Sequence, residues 1–304
     1  MASAGQPPGP DGTLRVMRIA DLYAAGGPVF SLEFYTPQTP AGQRSLWRAI
    51  GELKQIEPGF VSVTCGAAGT TRERTADVVI RIQEDFGLVG MAHMVCTGTT
   101  QPELVETLEH LRAHDVENVL ALRGDPPRDR RDWQPVPGGF RHADELAAFI
   151  RSRFDFCLGG ACYPEKHHEA PSAEEDLRHL KRKVDAGVEF LITQLFFNDA
   201  DYWSFVERAR ALGIRVPIVP GIMPMRSLAT LQRIAALSPG SKIPGELEAG
   251  LREAGNDEER SLAVGVAWAA RQCCELLERG APGIHYYTMN LAPATLAVQR
   301  RLAP

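Results

Sequence analysis

The chain has 304 residues, 44% of them hydrophobic, with 33 basic and 38 acidic side chains and a formal net charge of -5. That is enough for one large domain or two ordinary ones, and the scattered basic residues give no electrostatic footprint for nucleic acid or an anionic membrane. A small-molecule partner is expected instead. The six cysteines form no CxxC pair and lie mostly in apolar runs, as buried thiols of a reducing cytosol would. The opening "MASAGQPPGPDG" lacks the basic start and apolar core of a signal peptide, and no apolar run nears the ~18 residues of a membrane span. The expectation is a cytoplasmic protein with a disordered arm over 1–14 and one domain over 15–304.

In chain order, short apolar runs recur at 28–34, 60–65, 90–96, 118–124, 156–164, 190–197, 217–224 and 283–290. Each is nearly continuous rather than alternating, the pattern of parallel strands covered on both faces. Amphipathic segments lie between them. Thr39-Pro40 opens a helix carrying Leu46, Trp47, Ile50 and Leu53, and Ser172 to Glu175 is a capping-box pattern ahead of Leu177, Leu180 and Val184. The alternation predicts a single (β/α)8 barrel, with about three extra helices by pattern over 226–280 before the eighth strand. An open doubly wound sheet is disfavoured because no GxGxxG turn follows the first strand. Residues 125–140, "DPPRDRRDWQPVPGGF", read as a charged, proline-rich loop covering a site.

A (β/α)8 barrel carries its active site at the carboxyl ends of the strands. The polar residues nearest those ends are Glu33, Thr64, His93, Arg123 with Asp125, Tyr163, Gln194 and Tyr287. His93, Cys65, Cys96 and Cys162 match no common zinc spacing, so no metal is expected. Asp176, His179 and Lys183 share one face of the helix after Tyr163, with Arg182 beside them. That face is either simply solvated or holds a ribose with Asp176 and phosphates with Arg182 and Lys183.

The segments "SLEFYTP", "FVSVTCGAAGTTRERT", "AHMVC", "LALRGDPP", "YPEKHHEA", "DLRHLKRKVDAGVEFLITQLFF", "PGIMP" and "GIHYYTMN" run through nearly the whole chain. In this order the sequence resembles the 5,10-methylenetetrahydrofolate reductases, in their bacterial, barrel-only form. The resemblance implies a barrel that binds FAD, takes hydride from NADH or NADPH and passes it to 5,10-methylenetetrahydrofolate at one shared site, commonly as a homo-oligomer. It assigns Glu33 as the acid that opens the imidazolidine ring. The apolar "VFSLEFY" around it predicts a raised pKa. It places Asp125 near flavin and pterin, and Gln194 against pterin and nicotinamide, where an amide offers both donor and acceptor; Tyr287 is taken as a further substrate contact. Thr64, His93, Arg123, Gly124, Asp125, Tyr163, His167, Ala170, Asp176, Arg182 and Lys183 match FAD-holding positions, and Ala67 and Ala143 match positions where a small residue lies against the cofactor.

Departures from the family pattern fall at Cys65 and His142, where tyrosines are common, and at Thr230, Ile234 and Leu291, where polar, aromatic and basic residues are common. They keep two other readings open: a flavin-free reductase of the same fold, or a folate-binding subunit without turnover. The choice between NADH and NADPH is also open.

Overall fold

The computed structural model of the chain describes residues 17–66, 71–125, 135–237 and 241–302. The strands among them are β1 (Val29–Tyr35), β2 (Phe60–Thr64), β3 (Gly90–Val95), β4 (Asn118–Leu122), β5 (Cys157–Cys162), β6 (Phe190–Thr193), β7 (Ile218–Val219), β8 (Gly221–Ile222) and β9 (Gly283–Tyr287). Their pairings are parallel, in the order β7-β6-β5-β4-β3-β2-β1-β9-β8. Pro220 separates β7 from β8; it has no N–H to give to the ladder and splits one stave in two. The first half bonds β6 and the second bonds β9, so both ends of the sheet meet in one chain segment and the barrel closes on eight staves.

The helices are α1 (Ile19–Ala24), α2 (Pro40–Leu53), α3 (Arg72–Phe86), α4 (Gln101–Ala113), α5 (Ala143–Arg153), α6 (Ala173–Asp185), α7 (Asp199–Ala211), α8 (Leu228–Leu237), α9 (Gly245–Ala254), α10 (Glu258–Glu278) and α11 (Pro293–Leu302). The hydroxyls of Thr39 and Ser172 accept from the N–H groups of Gly42 and Glu175 at 3.1 and 3.2 Å, capping α2 and α6; at α6 this is one half of the predicted capping box, because the Glu175 carboxylate turns to Arg178 and His179 instead. Leu46, Ile50 and Leu53 then fall on the buried face of α2. The region 226–280 holds α8, α9 and α10, the three helices its pattern predicts. None of the described helices is long and apolar enough to cross a membrane.

Strand residues alternate between two layers. Val61, Val63, Met94, Val119 and Tyr286 face the helices, while Phe60, Met91, Leu120, Cys157, Phe190, Ile192 and Val219 fill the barrel. Burial on both faces is why these runs read as continuously apolar. Each fully buried large side chain such as Phe60 gains about 2–3 kcal/mol on leaving water. Helix α1 closes the amino-terminal end: Ile19 is fully buried, and Tyr23 packs on Phe60 and Phe190 with ring centroids 6.5 and 5.9 Å away. The apolar filling therefore occupies one end, leaving the other for polar residues. The expected arm over 1–14 and residues 126–134 of the expected covering loop lie outside the described residues.

Candidate active site

At the carboxyl ends of the strands the barrel opens into a cavity of about 800 Å³. Glu33, Thr64, His93, Arg123, Gly124, Asp125, Ala143, Tyr163, His167, Ala170, Asp176, Arg182, Lys183, Gln194 and Tyr287 all line it. Cys65 and His142 do as well. Ala67 lies outside the described residues.

Glu33 stands on β1, in register with Ser62 of β2 and Tyr287 of β9. Its Oε2 lies 3.4 Å from Nε2 of His93 and 3.4 Å from Nε2 of His285. Nδ1 of His285 in turn lies 2.8 Å from the Ser31 hydroxyl. Burial pushes the Glu33 carboxyl up, but the charge of His93 and the hydrogen bond and charge of His285 outweigh it and hold the group below the usual carboxylate range. This corrects the expectation of a raised pKa: "VFSLEFY" shows the apolar neighbours along the strand, whereas both imidazoles come from other staves. Burial drives His93 below its ordinary value, opposed by the Glu33 charge.

Arg123 leaves β4 beside Gly124, whose φ is +81°. A Cβ on Gly124 would come within 3.0 Å of Val95, so conformation and packing both require glycine. The guanidinium makes a two-pronged ion pair with Glu169, one prong at 3.1 Å, rather than with Asp125. Asp125 is exposed at the rim.

The α6 face is more tightly engaged than a solvated helix face. Asp176 Oδ2 accepts from the His167 N–H at 3.0 Å, Arg182 faces Asp144 at 3.5 Å, and half-buried Lys183 donates to the Ala161 carbonyl at 2.8 Å. Burial lowers the pKa of the Lys183 ammonium, partly offset by Cys162 and Asp176. His167, meeting Tyr163 edge-on at 4.6 Å between ring centroids, is likewise lowered by burial and by its neighbours His168 and Arg123.

On the opposite wall, the Tyr287 hydroxyl donates to the Thr193 carbonyl at 2.7 Å, and the ring lies over β8. A Cβ on Gly221 would sit 2.6 Å from that ring and 2.4 Å from the Thr193 oxygen, so glycine there admits the tyrosine. Gln194 Oε1 accepts from the Leu195 N–H at 2.8 Å. With one acceptor lone pair committed, the amide N–H₂ is the better-placed group for a ligand, which narrows the dual role expected of it. Among the described residues, no group of three or more His, Cys, Asp or Glu side chains is arranged to hold a metal ion. Cys96 and Cys162 belong to the outer hydrophobic shell instead.

The sequence model of methylenetetrahydrofolate reductase matches residues 18–303. The chain belongs to the methylenetetrahydrofolate reductase family. Methylenetetrahydrofolate reductase 1 of Schizosaccharomyces pombe is 37% identical over 276 residues, covering 90% of this chain and 45% of its own length. The chain thus spans about half the length of the eukaryotic relatives it matches. The 5,10-methylenetetrahydrofolate reductase of Salmonella typhimurium is 35% identical over 271 residues, 88% of each chain. An uncharacterized protein from Clostridium thermocellum that binds two copies of 5-methyl-5,6,7,8-tetrahydrofolic acid shares the fold, with a TM-score of 0.62 at 15% identity over 94% of this chain and 97% of that one.

Set against the family pattern, the positions Thr230, Ile234 and Leu291 lie off the cavity wall. Ile234 on α8 is buried with Leu195, Phe197, Met225 and Leu231, one layer behind the lining residues Leu195 and Met223. Thr230 bonds the Ser227 hydroxyl at 2.9 Å, and the cavity is lined by Thr288 and Met289 rather than Leu291. Sequence reasoning missed His285, Glu169 and Asp144. His285 was legible, since it lies two residues before Tyr287 and so faces the same side of its strand.

Proposed function

We propose that the chain reduces 5,10-methylenetetrahydrofolate to 5-methyltetrahydrofolate with hydride from NADH or NADPH, using bound FAD and one shared site. The observation that supports it best is the convergence of Glu33, Asp125 and Gln194 with the basic side chains Arg123, Arg182 and Lys183 on one cavity, in a chain of this family. The residues present fit FAD. The cations suit phosphates, and His93 in the cavity wall has a buried Nε2 without a hydrogen-bond partner that a ligand atom would satisfy. Thr64, His93, Arg123, Gly124, Asp125, Ala143, Tyr163, His167, Ala170, Asp176, Arg182 and Lys183 would hold it. FAD, when bound, supplies the carrier that takes hydride from the nicotinamide and gives it to the folate.

Glu33 is the proton donor to the folate ring nitrogen. Because the two imidazoles hold it below the ordinary range, it rests as a carboxylate and takes up from solvent in the cavity the proton that the reaction consumes, with His285 Nε2 3.4 Å from Oε2 and the other His285 nitrogen on the Ser31 hydroxyl to hold it in place. Pterin entering the cavity removes water from Glu33 and shifts the balance toward the protonated carboxyl. Asp125 stabilises the cationic character that develops as the ring opens, and Gln194 presents its amide N–H₂ to a carbonyl of pterin or nicotinamide. Tyr287, kept protonated by burial and tied to Thr193, is a fixed wall rather than an acid. The test is the purified protein, with and without added FAD. It is expected to oxidise NADH with a quinone acceptor. A colourless protein that takes up no FAD yet reduces folate at the expense of NADH would refute the flavin assignment and leave the folate assignment standing.

A further inference from the structure

The Arg123 guanidinium is held at both terminal nitrogens by Glu169, Nη1 on Oε2 and Nη2 on Oε1. Both side chains line the cavity. Glu169 is itself anchored by its loop. Its N–H donates to Nδ1 of His167 at 3.2 Å, the His167 N–H is tied to Asp176 at 3.0 Å, and the Ala170 N–H returns to the His167 carbonyl at 3.0 Å. Lys166, at a φ of 95°, closes the loop by donating its ammonium to the Ala170 carbonyl. The strongest influence on the Glu169 carboxyl is its hydrogen bond from Arg123, which holds it below the ordinary range.

A free arginine gives up much rotamer freedom when a ligand fixes it, whereas one already held in a fork gives up little. Of the five N–H bonds on a guanidinium, the fork uses two and leaves three for another acceptor. We propose that Glu169 is a positioning residue that holds Arg123 as a preformed seat for an oxygen of the flavin cofactor, an inference that rests on the flavin reading above. The opposite role is a stand-in anion that the cofactor must displace. The Glu169 side chain is exposed, but its backbone is fixed through its own N–H and its loop; that anchors the carboxylate beside Arg123 and favours the positioning role. The two roles predict opposite changes in affinity.

The experiment strips flavin from the wild type, Glu169→Gln, Glu169→Asp, Arg123→Ala and the Glu169→Gln/Arg123→Ala double variant, then titrates each with FAD and follows quenching of its fluorescence. The expected result is binding about tenfold weaker in Glu169→Gln, a smaller loss in Glu169→Asp, and no further loss when Glu169→Gln is added to Arg123→Ala. Melting temperatures without flavin identify any variant that has not folded, and Glu169→Asp then carries the comparison. Unchanged or tighter binding in Glu169→Gln overturns the inference. So does an equal loss in the Arg123→Ala background, which would mean that Glu169 acts elsewhere. A wild type that quenches no FAD overturns the flavin reading and this inference together, whereas binding by the wild type with equal affinity in the variants overturns this inference alone.

Discussion

The two ends of the barrel are built from the same strands by the same alternation of side chains, but they use most of their polar groups differently. At the amino-terminal end, buried Asn118 is satisfied on every side: Oδ1 accepts from the Ile19 N–H at 2.8 Å, and Nδ2 donates to the Met17 carbonyl at 2.9 Å and the Gly90 carbonyl at 3.4 Å. Arg18 pairs with Asp155 and Glu189, and Arg151 joins the same glutamate. At the carboxyl-terminal end His93 Nε2 has no hydrogen bond, two imidazoles crowd one oxygen of Glu33, and Lys166, Met289 and Asn290 take positive φ. The amino-terminal end has its exceptions, in the partnerless Tyr23 hydroxyl and the positive φ of Glu57 and Asp115; what sets the carboxyl-terminal end apart is that its orphan, His93 Nε2, lies in the cavity wall beside a carboxylate, where a ligand can complete it. The difference separates the end that stabilises the barrel from the end that does chemistry.

The largest effect expected from breaking this division comes from Glu33→Gln. Losing a positioned acid costs roughly 10³-fold in folate reduction, while NADH-to-quinone transfer is unchanged in steady-state assays. Next is Asn118→Ala, which strands three backbone groups at the closed end. It is expected to cost about 3 kcal/mol in denaturant unfolding, with kcat for folate reduction unaffected in the folded fraction. If Asn118→Ala instead lowered kcat selectively, the two ends would not be separable.

The barrel was legible because continuously apolar runs at strand length, separated by capped amphipathic segments, leave few other architectures. Its closure was less so: only the pairing of β7 with β6 and of β8 with β9 reveals Pro220 as a break within one stave. Residues at strand ends could be nominated one strand at a time. What the sequence hid was contact between strands. The pKa of Glu33 is decided by His93 and His285, 60 and 252 positions away in sequence, and the partner of Arg123 comes from the loop after β5. Ile234, at a position where the family commonly carries an aromatic, is buried one layer behind the cavity wall, a depth that sequence does not show.

The pH dependence of stability sharpens the comparison further. Burial depresses His93 from 6.5, so below that pH the unfolded chain takes up a proton that the folded chain refuses, and stability falls as pH drops. Glu33, held below its ordinary 4.5, adds a loss only at more acid pH. Melting temperature is therefore expected to decline from pH 7.5 to 5.5, and His93→Gln to flatten that slope. The smallest effect tests an unsatisfied group outside the cavity. Asp199, at the start of α7, has both oxygens buried without partners, and burial pushes its carboxyl up to about 6. The folded state keeps that proton where the unfolded state has lost it, so the stability cost of Asp199 builds as pH rises from 3.8 to about 6 and is complete above that. Allowing for its partial exposure, Asp199→Asn should stabilise by about 1 kcal/mol at pH 7.5, less at pH 5, with folate reduction unchanged.

The most direct test of the central claim is an anaerobic absorbance titration of the purified protein, first with NADH or NADPH and then with 5,10-methylenetetrahydrofolate. The account predicts a yellow protein whose flavin bands bleach with the nicotinamide and return as the folate is reduced. A flavin that bleaches but is not restored by folate, or a protein with no flavin bands that still consumes both substrates, would contradict it.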